Sequence, residues 1–98
     1  MNEFDYKKLD NMLHSRIRLA IVSILVSVDD AEFTYLRDQI GATDGNLNTH
    51  LKKLEEAEYI NVNKKFVDRK PYTYYSITKK GREAFVYYIE ELEKFIKK

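Results

Sequence analysis

The residues best suited to chemistry lie between the leucines of the stretch TDGNLNTHLKKLEEAEYI, residues 43–60. Leu47, Leu51 and Leu54 are spaced i, i+4 and i+7, so one side of a helix here faces a core. The opposite side carries small polar side chains and lysines: Gly45, Thr49 and Lys52 in the middle, flanked by Asn46, Asn48 and Lys53. Asparagine can pair with adenine, threonine can contact a thymine methyl, and lysine can reach guanine or phosphate. This pattern predicts a face that reads DNA bases. The alternative is an ordinary solvated surface, which the three glutamates at the far end of the helix would fit.

Two positions in the same stretch have more than one interpretation. Gly45 costs about 1 kcal/mol of helix propensity, and either close approach of the backbone to DNA or a relaxed entry turn would explain it. His50 borders the leucine stripe, so we predict a half-buried packing residue rather than a DNA or metal contact. Thr43, next to the helix start, is included in the predicted DNA-binding set.

A second cluster of cations follows in residues 64–70. Lys64, Lys65, Arg69 and Lys70 stand against Asp68 alone. Pro71 stiffens the segment. Such an arm suits a phosphate backbone or a minor groove, although a solvated lysine-rich loop has the same composition.

The rest of the composition excludes other classes of function. The net charge is only +1, so any basic surface is local. The chain has no cysteine and two distant histidines, which excludes disulfides and disfavours a metal site. No phosphate loop or catalytic motif is present. We therefore expect no enzyme, no cofactor and no metal.

The longest apolar run, LAIVSILVSV, is too short to span a bilayer and is no secretory signal, so the expected location is cytoplasmic.

The elements that position these clusters follow from periodicity. A first helix is predicted over 15–28, a short one over 35–40 with Thr34 as its N-cap, and a third over about 44–58 capped by Thr43 or Asp44. Gly41 ends the short helix, which gives a helix-turn-helix pattern. A tiny strand is expected in EFT before the short helix, and FDYKKLDNMLH is predicted to form a helical turn or helix.

The second half of the chain reads as a hairpin followed by a helix. Residues 59–66 alternate, with Ile60, Val62, Lys64 and Phe66 pointing one way. VDRKPYT is predicted to be a loop, and YYSI a second strand, so the wing covers about 60–77. Thr78 then caps a long helix over about 79–97. The predicted fold class is α+β, mainly α: a winged helix-turn-helix with a two-stranded wing and a long C-terminal helix, forming a single domain over residues 1–98.

Surplus apolar surface predicts a homodimer. The last helix carries the stripe Phe85, Tyr88, Ile89, Leu92 and Ile96, and the back of the first helix carries Leu19, Val22 and Val26. Pairing these stripes across a two-fold axis would bury both. The alternative is that the last helix packs only on its own first helix.

Four segments together resemble a known family: HSRIRLAIVSIL, FTYLRDQIGATDGNLNTHLKKLEEAEYI, KKFVDRKPYTYYSIT and KKGREAF. They are similar to the small winged-helix DNA-binding domains of prokaryotic transcriptional regulators, akin to the MarR and ArsR groups. The resemblance implies a dimeric regulator of double-stranded DNA, with 44–58 as reader, 67–73 as wing and Thr73 against the DNA backbone. The family often has glycine where this chain has Glu58, so a more helical turn is expected there. Metal-sensing members use cysteines, so metal sensing is not carried over, and no effector ligand is indicated.

Two functions remain open from the sequence. The leading hypothesis is a homodimeric, sequence-specific DNA-binding transcriptional regulator without a membrane partner. The alternative is a winged-helix adapter that binds protein and not DNA, which the near-neutral charge favours.

Overall fold

The computed structural model describes residues 5–97, which form four α-helices and a small antiparallel sheet. A 3-10 turn at Tyr6–Lys8 precedes the first helix. The elements in chain order are α1 (Arg16–Leu25), β1 (Ala31–Glu32), α2 (Phe33–Ile40), α3 (Asp44–Glu56), β2 (Ile60–Val67), β3 (Lys70–Ile77) and α4 (Lys79–Ile96). The predicted fold class, a winged helix-turn-helix with a long C-terminal helix, is confirmed.

The leucine stripe of α3 is buried, because Leu47, Leu51 and Leu54 all face the interior. They pack in one core with residues from every other long element: Leu13, Ile21, Val22, Leu25, Ala31, Leu36, Ile60, Tyr75 and Tyr88. Burial of one stripe fixes the rotation of α3 about its own axis. The polar side of the helix is therefore turned to solvent.

The turn between α2 and α3 holds the two helices in the helix-turn-helix arrangement. Gly41 ends α2 in the left-handed conformation with φ of 76°, which glycine adopts without strain. The Thr43 hydroxyl accepts a hydrogen bond from the Asn46 amide and caps α3. Arg37 on α2 pairs with Asp44 in the first turn of α3 at 3.1 Å. The start of α3 is thus fixed by a local cap and by a link to α2.

The start of α2 differs from the prediction. Glu32, not Thr34, is the N-cap, and α2 begins at Phe33. The Glu32 carboxylate accepts a hydrogen bond from the Thr34 amide at 2.8 Å, so the capping interaction comes from the residue two positions earlier. The tiny strand is correspondingly Ala31–Glu32 rather than EFT.

The sheet has the order β1-β3-β2, and β2 and β3 pair without interruption from Ile60↔Ile77 to Val67↔Lys70. The prediction of a loop over VDRKPYT is wrong, because only Asp68 and Arg69 lie outside the strands. Both have positive φ, 52° and 69°. Two consecutive residues of this kind form the type I′ turn that matches the twist of a hairpin.

The junction from α3 to the wing is also left-handed. Glu58 has a φ of 65°, so the expectation of a more helical turn at this position is wrong. The Thr78 hydroxyl donates to the Glu58 carbonyl at 2.7 Å and accepts from the Gly81 amide at 2.9 Å. Thr78 therefore joins this turn to the first turn of α4, which it caps as predicted.

Two stripes of α4 differ in burial. Gly81, Tyr88 and Glu91 are buried within the protomer, whereas Phe85, Ile89 and Leu92 are only partly buried and Ile96 is 70% exposed. Two residues of the predicted dimer surface do not fit it. Tyr88 lies in the core, with its hydroxyl 2.9 Å from His14 Nδ1, and Val22 is fully buried. These two side chains are already covered by their own protomer and offer no surface to a partner.

Candidate nucleic-acid interface

The outward side of α3 presents every polar residue that the sequence predicted there. Gly45, Asn46, Asn48, Thr49, Lys52 and Lys53 are all exposed, as is the cap residue Thr43. The Thr49 hydroxyl donates to the Gly45 carbonyl at 2.9 Å. Its proton is therefore used inside the helix, which leaves its methyl group and oxygen lone pairs for a partner.

A cleft of about 310 Å³ lies between α3 and the wing. Four of the predicted contact residues line it: Asn48 and Lys52 from the helix, Lys64 and Thr73 from the strands. Their sequence separation is up to 25 positions, from Asn48 to Thr73, and the hairpin register brings them together through the Lys64↔Thr73 pair. The cleft thus joins the two clusters into one surface with amide, hydroxyl and ammonium groups.

The cations of the wing divide between its two faces. Side chains alternate along a strand, so Lys64 shares the cleft face, whereas Lys65 and Lys70 project from the other. Lys65 forms an ion pair with Asp30 at 2.9 Å and lies 4.5 Å from the centre of the Tyr74 ring. The hydrogen bond to Asp30 raises the pKa of Lys65. Lys65 and Lys70 are therefore not brought to the cleft.

Arg69 occupies the tip of the wing, in the second position of the type I′ turn. A left-handed backbone costs a non-glycine residue about 1 kcal/mol, and glycine is the preferred residue at this position. An exposed arginine here is thus held at a cost to stability. It is also the cation that extends furthest along the hairpin from the core.

His50 lies behind the exposed face and connects α3 to α1. Arg18 Nη1 donates to His50 Nδ1 at 3.0 Å, and Arg18 Nε donates to the Met12 carbonyl at 2.6 Å. Burial, followed by the positive charges of Arg18 and Lys53, lowers the pKa of His50. A neutral, half-buried histidine in this place matches the predicted packing role.

One acidic residue enters the cleft. Glu55 lines it beside Lys52, one residue before the end of α3. Burial raises the pKa of Tyr75 at the floor of the cleft, and the charges of Glu55 and Glu32 add to that effect. The cations of α3, Lys52 and Lys53, therefore lie within one turn of Glu55, whereas Arg69 at the wing tip lies away from it.

Phe66 was not among the predicted contact residues, although it belongs to the same surface. It lies two residues beyond Lys64 on β2 and is 76% exposed. The sequence did contain a signal for this position, because the alternation over residues 59–66 places Phe66 on the same side of the strand as Lys64. What the sequence could not supply was the pairing of the two strands up to a two-residue turn, since 67–73 was expected to be a loop.

Comparison with known proteins assigns the chain to a family. Residues 17–96 match the family model described as winged helix DNA-binding domain, and the chain belongs to this family. The uncharacterized protein MJ0432 of Methanocaldococcus jannaschii is 40% identical over 81 residues, which cover 83% of this chain and 88% of that protein.

Solved structures agree with the fold. A transcriptional regulator homologue from Pyrococcus horikoshii OT3 superposes with a TM-score of 0.84 at 28% identity, over 90% of this chain and 87% of that one. The ArsR family transcriptional regulator RHA00566 superposes with a TM-score of 0.62 at 19% identity, over 88% and 84%, and supports the fold alone. The resemblance to small winged-helix DNA-binding domains is confirmed by the family model, and the fold is shared with these two regulators. In residues 5–97, no helix is long and apolar enough to cross a membrane.

Proposed function

We propose that this protein is a sequence-specific, homodimeric regulator of transcription that places α3 in the major groove of DNA and its wing on the adjacent backbone or minor groove. The observation that carries the proposal is the shared cleft, which unites Asn48 and Lys52 of α3 with Lys64 and Thr73 of the wing. A winged-helix chain with a polar, outward-facing third helix has the geometry that this mode of binding needs.

The distribution of side chains along α3 supports base reading by its first two turns. Recognition helices contact bases mainly through their N-terminal residues. Asn46 and Thr49 lie there, and neutral amide and hydroxyl groups gain little from phosphate charge alone. The exposed Glu55 and Glu56 follow at the far end, where repulsion from phosphate is tolerated because the helix leaves the groove.

Arg69 supports a role of the wing tip in DNA binding. A strained backbone on an exposed residue is a reason to look for function. An arginine at the end of a hairpin can reach phosphate oxygens or a narrow minor groove. Lys64 and Thr73 lie between the wing tip and α3, where they could contact the same DNA strand. Lys65 is a weaker candidate for DNA binding, because it is paired with Asp30.

Homodimerisation is supported by the second stripe of α4. Phe85 and Ile89 form an apolar groove of about 420 Å³ with Leu19 and Ala20 of α1. Leu92 and Ile96 continue the stripe beyond this groove towards the end of α4. Val26, partly buried at the end of α1, extends the same apolar surface. A second copy related by a two-fold axis would cover these side chains with their own equivalents.

Light scattering at micromolar concentration tests the dimer. The wild-type protein should have twice the 11.7 kDa mass of the chain, and Leu92→Asp should reduce it to a monomer. Tyr87→Asp is the matched control, because Tyr87 is 47% exposed and lies on the opposite side of α4 from Phe85 and Ile89. A monomeric wild type, or equal loss in both variants, would contradict the proposed interface.

DNA binding is tested by selecting duplexes from a random pool and measuring affinity at two salt concentrations. We expect an enriched motif with two-fold symmetry, and half-sites about one helical turn, or ~34 Å, apart. Binding should weaken as salt rises, because cations on the protein displace counterions from DNA. A selection without enrichment, together with no retention on bulk DNA at low salt, would contradict the proposal.

The second candidate is a winged-helix adapter that binds protein and not DNA. The net charge of +1 favours it, since many DNA-binding domains are strongly basic. The same retention experiment separates the two functions. A DNA-binding protein is retained on bulk DNA or heparin at low salt and released at higher salt, whereas an adapter shows no such salt-dependent retention.

A further inference from the structure

Phe66 is the most exposed large apolar side chain in residues 5–97, with 76% of its surface in solvent. It projects from the outer end of the wing, where no core can cover it. Single exposed apolar side chains are common on protein surfaces, so what matters for Phe66 is its place, beside the cations of the wing and on the strand face that lines the cleft. Its position therefore points to a contact made with a partner.

The direction of Phe66 follows from the hairpin register. Val62, Lys64 and Phe66 share one face of β2, and their partners on β3 are Tyr75, Thr73 and Pro71. The first two of these pairs line the cleft beside α3. Phe66 and Pro71 are the next pair outward on that same face. The apolar pair thus continues the proposed DNA surface beyond the cleft.

Pro71 helps to hold Phe66 in place. Val67 and Lys70 flank the two-residue turn and form a hydrogen-bonded pair. Phe66 and Pro71 are the next pair, and in such a pair the backbone N–H and C=O groups point away from the partner strand. Proline loses no ladder hydrogen bond at such a position. Side chains of these pairs lie close together, which gives a short, stiff apolar edge at the tip.

We propose that Phe66 acts as a wedge that enters the minor groove and partly unstacks one base step, so that the protein bends its DNA. Apolar side chains inserted in this way kink duplexes by about 20–90°. Lys64 on the same face and Arg69 in the turn would hold the flanking phosphates, which supplies charge complementarity around the apolar tip. The inference rests on the proposed function, and it adds a residue and a distortion of the DNA to it.

The wedge also predicts a source of specificity outside α3. Pyrimidine–purine steps such as TA and CA unstack more easily than other steps. A site with such a step under the wing should therefore bind more tightly than a site with the same α3 contacts and a stiff step. This preference for a flexible base step is expected to be lost when Phe66 is replaced by alanine.

The experiment measures bending by energy transfer between dyes at the two ends of a selected duplex, at saturating protein. The wild type should bend the duplex by more than about 20°. Phe66→Ala should lose most of the bend, lose the preference for the flexible step and bind about tenfold more weakly, the size expected for one lost aromatic contact with a base. Phe66→Leu should retain the bend, because leucine also acts as a wedge.

Val67→Ala is the matched control at the same tip. Val67 is 45% exposed but lies on the opposite face of the wing, so its bend angle and affinity should equal those of the wild type. The melting temperature should stay constant in all three variants, since none of these side chains is in the core.

The outcomes separate the wedge from the function on which it rests. Binding without a bend, or equal bends for the wild type and Phe66→Ala, would overturn the wedge and leave DNA recognition intact. A wild-type protein that binds no duplex would overturn both. A change of molecular mass in Phe66→Ala would assign the side chain to a contact between two copies of the chain, which also overturns the wedge.

Discussion

A Cβ atom at Gly81 would lie 2.2 Å from the carbonyl oxygen of Tyr59, so the first turn of α4 packs directly on the backbone that leads into the wing. The same carbonyl accepts a hydrogen bond from the Thr78 amide at 3.0 Å. Thr78 and Gly81 therefore act together, one as helix cap and the other as the point of closest approach. This relationship gives a physical reason for the T-x-x-G pattern in the sequence.

Gly81→Ala is expected to destabilise the fold by about 1–3 kcal/mol, because the added methyl group collides with backbone that has little room to move. The loss should appear although alanine is the better helix former by about 1 kcal/mol. Urea unfolding monitored by circular dichroism measures it. A variant as stable as the wild type would show that α4 does not approach Tyr59 so closely.

Gly45→Ala is the matched control for this substitution. No atom lies within 4 Å of a Cβ built at Gly45, so the same change should leave stability equal or raise it by up to about 1 kcal/mol. Its DNA affinity separates the two interpretations of Gly45. A loss of binding indicates close approach of the helix backbone to DNA, and unchanged binding indicates a relaxed entry turn.

Glu58→Gly is expected to stabilise the protein by about 0.5–1 kcal/mol. Glycine adopts the left-handed φ of 65° without the steric cost that glutamate bears. The lost contact with Lys80 is an exposed ion pair at 3.7 Å, which contributes little. Thermal unfolding checks the result. Glu58→Ala should bring no such gain, and equal gains in both variants would attribute the effect to charge instead of backbone.

The stability of the protein should fall as the pH drops below about 6.5, the ordinary pKa of histidine. The pKa of His50 is lowered in the folded state by burial and by Arg18 and Lys53. The unfolded chain therefore binds more protons between the folded pKa and 6.5, and stability rises with pH in that window and levels off on either side. His50→Gln should flatten this part of the profile of unfolding free energy against pH. A variant whose profile runs parallel to that of the wild type would exclude His50 as the cause.

Arg69→Gly should separate stability from DNA binding at the wing tip. Glycine relieves the positive φ of 69°, so the melting temperature should stay constant or rise. Affinity for all duplexes should fall, and the slope of log affinity against log salt should decrease by about one per protomer, because one phosphate contact is lost. Lys65→Ala is the control, since Lys65 is paired with Asp30. If Lys65→Ala weakens binding more than Arg69→Gly does, the assignment of the wing faces is wrong.

The sequence predicted those parts of the fold that depend on neighbours along the chain. The stripe of Leu47, Leu51 and Leu54, the Thr43 and Thr78 caps and the glycine stop at Gly41 are all local patterns. Each could be identified without knowledge of the rest of the molecule. The exposed polar side of α3 followed directly from the burial of its leucines.

The features that the sequence did not reveal depend on distant neighbours or on rare backbone conformations. Periodicity marked Val22 and Tyr88 as apolar, but it could not tell whether the same protomer or a second copy would cover them. Asp68 and Arg69 form a hairpin turn without the glycine or asparagine that normally signals one. Without that signal, the sequence did not show that the strands pair up to the turn, or that Phe66 pairs with Pro71.

The most direct test of the account measures Asn46→Ala and Thr49→Ala on a selected operator and on a scrambled duplex. Base-reading side chains contribute about 1–3 kcal/mol of discrimination, so each variant should lower the ratio of specific to nonspecific affinity by at least about fivefold. The melting temperature should hold, because both side chains are exposed on α3. Lys53→Ala, as a control, should weaken both duplexes alike. If both duplexes are bound as tightly as by the wild type, the outward face of α3 does not read DNA and the central claim is contradicted.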